Sequence, residues 1–237
     1  MPRTPIWKSI ADALRADISG SIFVPGDKLP TEAVLAQKFD VNRHTVRRAL
    51  SALAEEGLVH ARQGAGVFVT SAPTLYPIGK RVRFHQNLRA AGRTPVKRVL
   101  SCDTRPARAA EQEALNLNPK DPVHVYEGLS LADEEPIAVF RSVFPAERFP
   151  GLLTHLQDGG SVTAALRAEG LFDYLRESTH LNAKLANATQ ARHLRISEGS
   201  PILRTIAVNV DLEGKPVEFG RTWFAGDNVT LVLNENE

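Results

Sequence analysis

Between Ile6 and Ile18 the apolar residues Ile6, Ile10, Leu14 and Ile18 recur at every fourth position, with Ala13 beside them. That spacing predicts an amphipathic helix with a single apolar stripe. Thr4 is placed to cap it, Pro5 to fill a first turn where its missing N–H costs nothing, and Gly20 to end it. The run Val24-Pro25-Gly26-Asp27-Lys28-Leu29-Pro30 forbids a helix and marks a tight turn. A second helix is expected over 31–38 with Thr31 as N-cap, and a third over 43–56 capped by Asn42. On the third, Val46, Ala49, Leu50 and Leu53 fall at i, i+3, i+4 and i+7 and form a buried stripe. Ala36 is small where the second and third helices cross, and Asp40 sits at a turn that asks for a left-handed backbone. After Gly57, two strands over 58–62 and 67–69 flank a hairpin loop, Gln63-Gly64-Ala65-Gly66.

The pattern then changes. Residues 71–80 carry prolines, a glycine and no periodicity, and read as a linker. Beyond it, alternating apolar positions predict strands over 96–104, 122–131, 137–144, 203–211 and 217–224. Helices are expected over 84–91, 107–117, 162–169 and 186–193. Strands separated by single helices predict an α+β class with an antiparallel sheet. The expected domains are 1–70, a linker over 71–80, and 81–237.

Length and composition agree with this division. A chain of 237 residues that is 43% hydrophobic is long enough for two small domains, each with a core, and too apolar for global disorder. No apolar run approaches the ~18 residues that cross a bilayer, and no secretory leader is expected. Cys102 is the sole cysteine, which rules out a disulfide framework; a reducing cytoplasm is the expected compartment. The formal net charge of +2 hides an asymmetry: +2 over residues 1–70, +7 over 71–100 and −7 over 101–237. Such asymmetry points to a polyanion-binding end.

Three short helices followed by a β-hairpin is the layout of a winged helix-turn-helix, whose later helix enters the major groove of DNA. On that helix Arg43 and Arg47 lie one turn apart with His44, Thr45 and Arg48 nearby, and no carboxylate intervenes before Glu55. Arginine suits this position because its fork donates two hydrogen bonds to guanine O6 and N7. Threonine and asparagine reach phosphate, and wing glycines bring backbone N–H groups close to the phosphate chain.

The segment LPTEAVLAQKFDVNRHTVRRALSALAEEGLVHARQGAGVFV resembles the GntR family of bacterial transcriptional regulators, whose members bind palindromic operators as homodimers. The resemblance implies DNA contacts from Thr31, Glu32, Asn42, Arg43, His44, Thr45, Arg47 and Arg48, and from a wing formed by Arg62, Gln63 and Gly64. Many members have arginine after the acidic residue of the second helix. Here that position is Ala33, which implies one fewer contact or a shifted operator preference. The stretches FHQNL, LADEEPIA and PVEFGRTWFAGD are similar to the UTRA effector domain of the HutC-type subgroup, which has a chorismate lyase-like fold. The segments RVRFHQNL and FPAERFP look similar to the phosphonate-utilisation regulators. The strand Tyr126-Glu127-Gly128-Leu129-Ser130-Leu131 lacks the two arginines that hold phosphate in sugar-phosphate-responsive members.

The resemblance implies a small-molecule effector, with a phosphonate or phosphate among the classes to consider. Candidate pocket residues are His85, Arg141, Ser161, Glu218, Arg221 and Trp223. The seven histidines show no metal-ligand spacing, and no nucleophile elbow, phosphate loop or His-Glu-x-x-His motif is present. No cofactor, metal, membrane partner or catalysis is therefore expected. The competing reading is a metabolite-binding or chorismate lyase-like catalytic domain whose basic segments serve only solubility or protein contacts.

Overall fold

The computed structural model describes residues 5–62, 64–70, 73–81, 83–157 and 160–233. Contacts divide the chain into two compact units, 1–72 and 73–237.

In the first unit α1 (Ile6–Ser19), α2 (Glu32–Lys38) and α3 (Arg43–Glu55) precede a hairpin of β1 (Val59–Arg62) and β2 (Gly66–Val69). The periodic apolar positions form its core: Ile10 and Leu14 of α1, Leu35 of α2, and Val46, Ala49, Leu50 and Leu53 of α3 are all buried. The Thr31 hydroxyl accepts from the Val34 N–H and the Asn42 carbonyl from the Thr45 N–H, so both predicted caps are made. The Thr4 position lies outside the described residues. Asp40 has φ 51°, the left-handed turn that the sequence asks for between α2 and α3. Lys28 bridges to Phe68 and Leu29 N–H bonds to the Val67 carbonyl, so the turn before α2 is tied to the outer strand of the two-stranded wing.

The second unit has a six-stranded antiparallel sheet in the order β4-β5-β6-β9-β8-β7. Its strands are β4 (Pro95–Pro106), β5 (Pro122–Ala132), β6 (Glu135–Pro145), β7 (Leu175–Leu185), β8 (Pro201–Val210) and β9 (Pro216–Ala225). Helices α5 (Ala109–Leu115) and α8 (Ala188–Leu194) pack on one face, against Val143 and Phe219 and against Trp223 respectively. The other face is covered by α4 (Phe84–Ala90), α6 (Leu152–Leu156), α7 (Val162–Ala168) and a two-stranded parallel ribbon of β3 (Thr74–Pro77) and β10 (Val229–Val232).

Four elements depart from the sequence expectation. β3 lies inside the stretch read as linker: Thr74 and Tyr76 are buried because they pair with β10, a long-range partner that no local pattern shows. β10 and α6 are too short for a period to emerge. β7 is an edge strand with residues 180–185 all exposed, so it lacks the apolar alternation that marks a half-buried strand.

The basic stretch over 71–100 is largely consumed within this unit. Arg81 and Arg83 pair with Asp173, Arg93 pairs with Asp133, and Lys97 lines a cavity. Asp133 and Glu134, both with positive φ, form the tight β5–β6 turn, and Asp133 also accepts from the Thr94 N–H at 2.7 Å.

A recognition face and a cavity as candidate functional sites

Helix α3 presents Arg43, His44 and Arg47 to solvent on the side away from its apolar stripe. Two capping bonds anchor its start: the Asn42 side-chain oxygen accepts from the Thr45 N–H and from the Thr45 hydroxyl, each at 2.9 Å. Asn42 and Thr45 thus spend their polar atoms on the helix end, while their exposed edges border the arginine face. Thr31 and Glu32 open α2 beside it.

Two readings of this face need correction. Arg47 does have a carboxylate partner, although none is close in sequence. Glu32 of α2 accepts from Arg47 Nε at 2.9 Å and from Nη2 at 2.8 Å. This pairing is the largest cause holding the Glu32 carboxyl below the usual range, with the charges of Arg43 and His44 adding to it. Arg48, grouped with Arg43 and Arg47 in the sequence, is one residue past Arg47 and so about 100° round the helix. Its guanidinium lies 4.7 Å from the Trp7 ring centre and packs on α1 instead of joining the recognition face. Among the wing residues, Gly64 has φ 72° and Gly66 φ 117°, and a side chain at Gly66 would meet Lys28 at 2.8 Å. Gln63 lies outside the described residues, and Arg62 is described only as the end of β1.

In the second unit the sheet face under the ribbon, α4 and α7 forms the floor of a cavity of about 110 Å³. Its lining is polar for so buried a place. Ser130, Ser142, Thr205 and Asn209 rise from three strands, β5, β6 and β8, and are each 6% exposed or less. Asn209 donates to Glu218 at 2.6 Å and accepts from Arg176 Nε at 2.7 Å, so these three side chains form one chain across β7, β8 and β9. On the opposite wall the Thr163 and Tyr174 hydroxyls are 2.9 Å apart, and Arg83 stacks on the Tyr174 ring at 3.6 Å.

Lys97 of β4 is the unusual member. Its ammonium sits 4.0 Å from the Phe140 ring centre, 5.3 Å from Phe84 and 5.7 Å from Tyr126, and makes no ion pair among the described residues. Burial pushes it down to about 8, with the charge of Glu218 pulling the other way. The Phe140 ring reaches this place because β5 carries Gly128: a side chain there would stand 2.7 Å from the ring. His85 is also held low, by burial first and then by Lys97 and Arg89.

Of the six pocket residues expected from sequence, His85 and Glu218 line the cavity. Arg141, Arg221 and Trp223 do not. Their neighbours Phe140, Ser142, Thr222 and Phe224 do, and alternate side chains of a strand point to opposite faces. Arg141 instead pairs with Glu127 across the strand. Arg221 lies over Phe219, its guanidinium pushed down by burial and then by Arg141. Trp223 packs under α8 with Ala191 and Leu194. Ser161 holds the N-cap position of α7 without a side-chain capping bond, and its successors Val162 and Thr163 reach the cavity. The residues missed were Lys97, Arg176, Asn209 and the small hydroxyls. A signal existed for some of them: Ser130 between two leucines and Asn209 between two valines are polar breaks inside apolar strand runs.

Comparison with known proteins agrees with both halves. Residues 7–69 match the family described as bacterial regulatory proteins, gntR family, and residues 90–230 match the UTRA domain. An uncharacterized HTH-type transcriptional regulator of Rhizobium meliloti (strain 1021), RB1450, is 41% identical over 227 residues, covering 95% of this chain and 93% of the relative. The probable transcriptional regulator PhnF of Escherichia coli (strain K12) is 32% identical over 209 residues, covering 88% and 86%. The crystal structure of PhnF from Mycobacterium smegmatis superposes with a TM-score of 0.66 at 23% identity, covering 96% of this chain and 99% of that one, which shows a shared fold. No described helix is long and apolar enough to cross a membrane. A helix-turn-helix head with exposed arginines, followed by a sheet domain with a polar cavity, therefore makes this chain a transcriptional regulator of the GntR family that carries a UTRA effector domain.

Proposed function

We propose that the protein is a cytoplasmic repressor that binds a near-palindromic operator as a homodimer and is released by a small anionic effector held in the UTRA-domain cavity. It acts by binding its ligand, without turning it over. On the DNA side, Arg43 and Arg47 read guanines from the major groove while His44 and the wing meet phosphate. Two heads related by a two-fold axis demand an operator with matching symmetry.

One observation carries the effector reading: half-buried Lys97, whose ammonium sits among three aromatic rings with no ion-pair partner among the described residues. Burying a charge unpaired is costly, and an anion entering the cavity relieves that cost. Arg176 adds a second cation, while Glu218 and the hydroxyls of Ser130, Ser142 and Thr205 suit hydroxyl or amine groups on the same ligand. Phosphonates, phosphate monoesters and small carboxylates are the classes that fit this balance. Any effect on operator affinity requires the effector to favour one conformation of the protein over another.

The deciding experiment is a salt-titrated gel shift of the full chain on the DNA upstream of its own gene, repeated with alkyl phosphonates, phosphate monoesters and carboxylates. Sequence-specific retention that one of these anions relieves is the expected result. Absence of a specific shift at any salt overturns the regulator reading; a specific shift indifferent to every anion overturns the effector reading.

A further inference from the structure

The Glu32–Arg47 pair joins the first residue of α2 to the exposed face of α3, and its geometry is particular. An arginine guanidinium has two edges that each present a pair of donors, and the carboxylate takes one of them whole, Nε with Nη2. The other edge, Nη1 with the second Nη2 hydrogen, has no partner among the described residues, on a side chain that is largely exposed. That edge alone matches guanine O6 and N7, which accept two parallel bonds. The pair is also in water: the Arg47 side chain is 60% exposed and that of Glu32 32%. Exposed ion pairs add little to stability, so folding alone gives little reason for this one. Its position also carries a cost, since a carboxylate beside a DNA-facing surface opposes phosphate.

We infer that Glu32 is a positioning residue for base recognition. It buttresses Arg47 in an end-on orientation before DNA arrives, and its negative charge penalises unspecific phosphate binding by the same side chain. Without the buttress, Arg47 swings freely and pairs with whichever phosphate is near, so affinity for any duplex rises while discrimination falls. The inference rests on Arg47 reading a base.

The test uses the full chain, an operator selected by the wild-type protein from a randomised duplex pool, and a scrambled duplex of equal length. Glu32→Gln keeps shape and length while removing the charge and one acceptor. Expected for Glu32→Gln are affinity for the scrambled duplex raised severalfold, a salt dependence steeper by about one unit of log K per log salt, and base preference at one position per half-site reduced about tenfold. Arg47→Ala flattens preference at that same position, and adding Glu32→Gln to it brings no further loss there, since the buttress has nothing left to hold. Thermal unfolding of Glu32→Gln stays close to wild type. If Arg47→Ala flattens the preference while Glu32→Gln leaves it and the salt slope intact, Glu32 has no positioning role. If Arg47→Ala leaves every preference unchanged, the recognition reading of Arg47 fails and the inference falls with it.

Discussion

The two units contrast in how their working residues are encoded. The head carries its candidate contacts on a helix, where each residue advances about 100° and a wrong neighbour is only partly misplaced. The UTRA domain carries its cavity on a sheet, where one step turns a side chain to the opposite face. Arg48 illustrates the first case: grouped with Arg43 and Arg47 in the sequence, it lies about 100° round the helix from Arg47, with its guanidinium over Trp7. Arg141, Arg221 and Trp223 illustrate the second, since each is a single residue from a cavity-lining position and none reaches the cavity. Position along a strand locates a site to within a residue; only parity against the sheet says which side it serves.

The sharpest break of this contrast compares two cations on opposite faces of the same sheet. Lys97→Met should weaken binding of the releasing anion roughly ten- to a hundredfold, as loss of a charged hydrogen-bond partner does. Arg221→Met should leave it within about twofold of wild type. Calorimetric titration distinguishes the two, and a reversed order would place the ligand on the α5–α8 face instead.

In the head the matching comparison is Arg43→Ala against Arg48→Ala. The first should cost about 1–3 kcal/mol of discrimination between operator and scrambled duplex. The second removes a cation–π contact with Trp7 and should cost about 0.5–1 kcal/mol of stability with base preference retained. A change of base preference in the Arg48 variant, read by competition gel shift, would restore it to the recognition face.

The cavity also predicts a pH dependence. Burial holds Lys97 down to about 8, and a bound anion drives it back toward the ordinary lysine range, so binding takes up a proton above about pH 8. Effector affinity should fall as pH rises from about 8, by up to about tenfold per unit, and flatten where free lysine itself deprotonates. Over the same window the unfolded chain holds that proton more firmly than the unliganded folded one, so unliganded stability should rise with pH. Calorimetry across pH 7 to 10 on wild type and on Lys97→Met, which should lose the trend, checks the sign.

The smallest effects are backbone ones in the head. Asn42→Ala removes a cap and should lower stability by about 1 kcal/mol. Asp40→Gly relieves a left-handed φ of 51° and should raise it by less than about 1 kcal/mol. Thermal unfolding measures both, and opposite signs at adjacent turns would separate cap from strain.

Much of the head was therefore legible from residues alone, because its helices are written locally. Caps, turn and apolar stripe each lie within a few residues of one another, and the same side chains that order α3 leave Arg43 and Arg47 outward. The exception is Glu32, fifteen residues from Arg47: a contact between helices leaves no local periodicity. The antiparallel class and most sheet strands were equally visible, since half-buried strands alternate. β3, β7 and β10 were not, because their order comes from remote pairing or from an edge that water covers on both sides.

By itself, then, the chain's order of residues determined the winged helix-turn-helix, the α+β second unit, and the exposed basic face of α3, all of which depend on interactions within a turn or a hairpin. Tertiary structure alone decided where the segmental charge goes. The +7 over residues 71–100 points in the sequence to a polyanion, yet three of its arginines meet Asp173 and Asp133, and one of its two lysines, Lys97, enters the cavity. Coulomb energy and desolvation depend on distance through space, and Arg81 meets Asp173 across 92 residues of sequence.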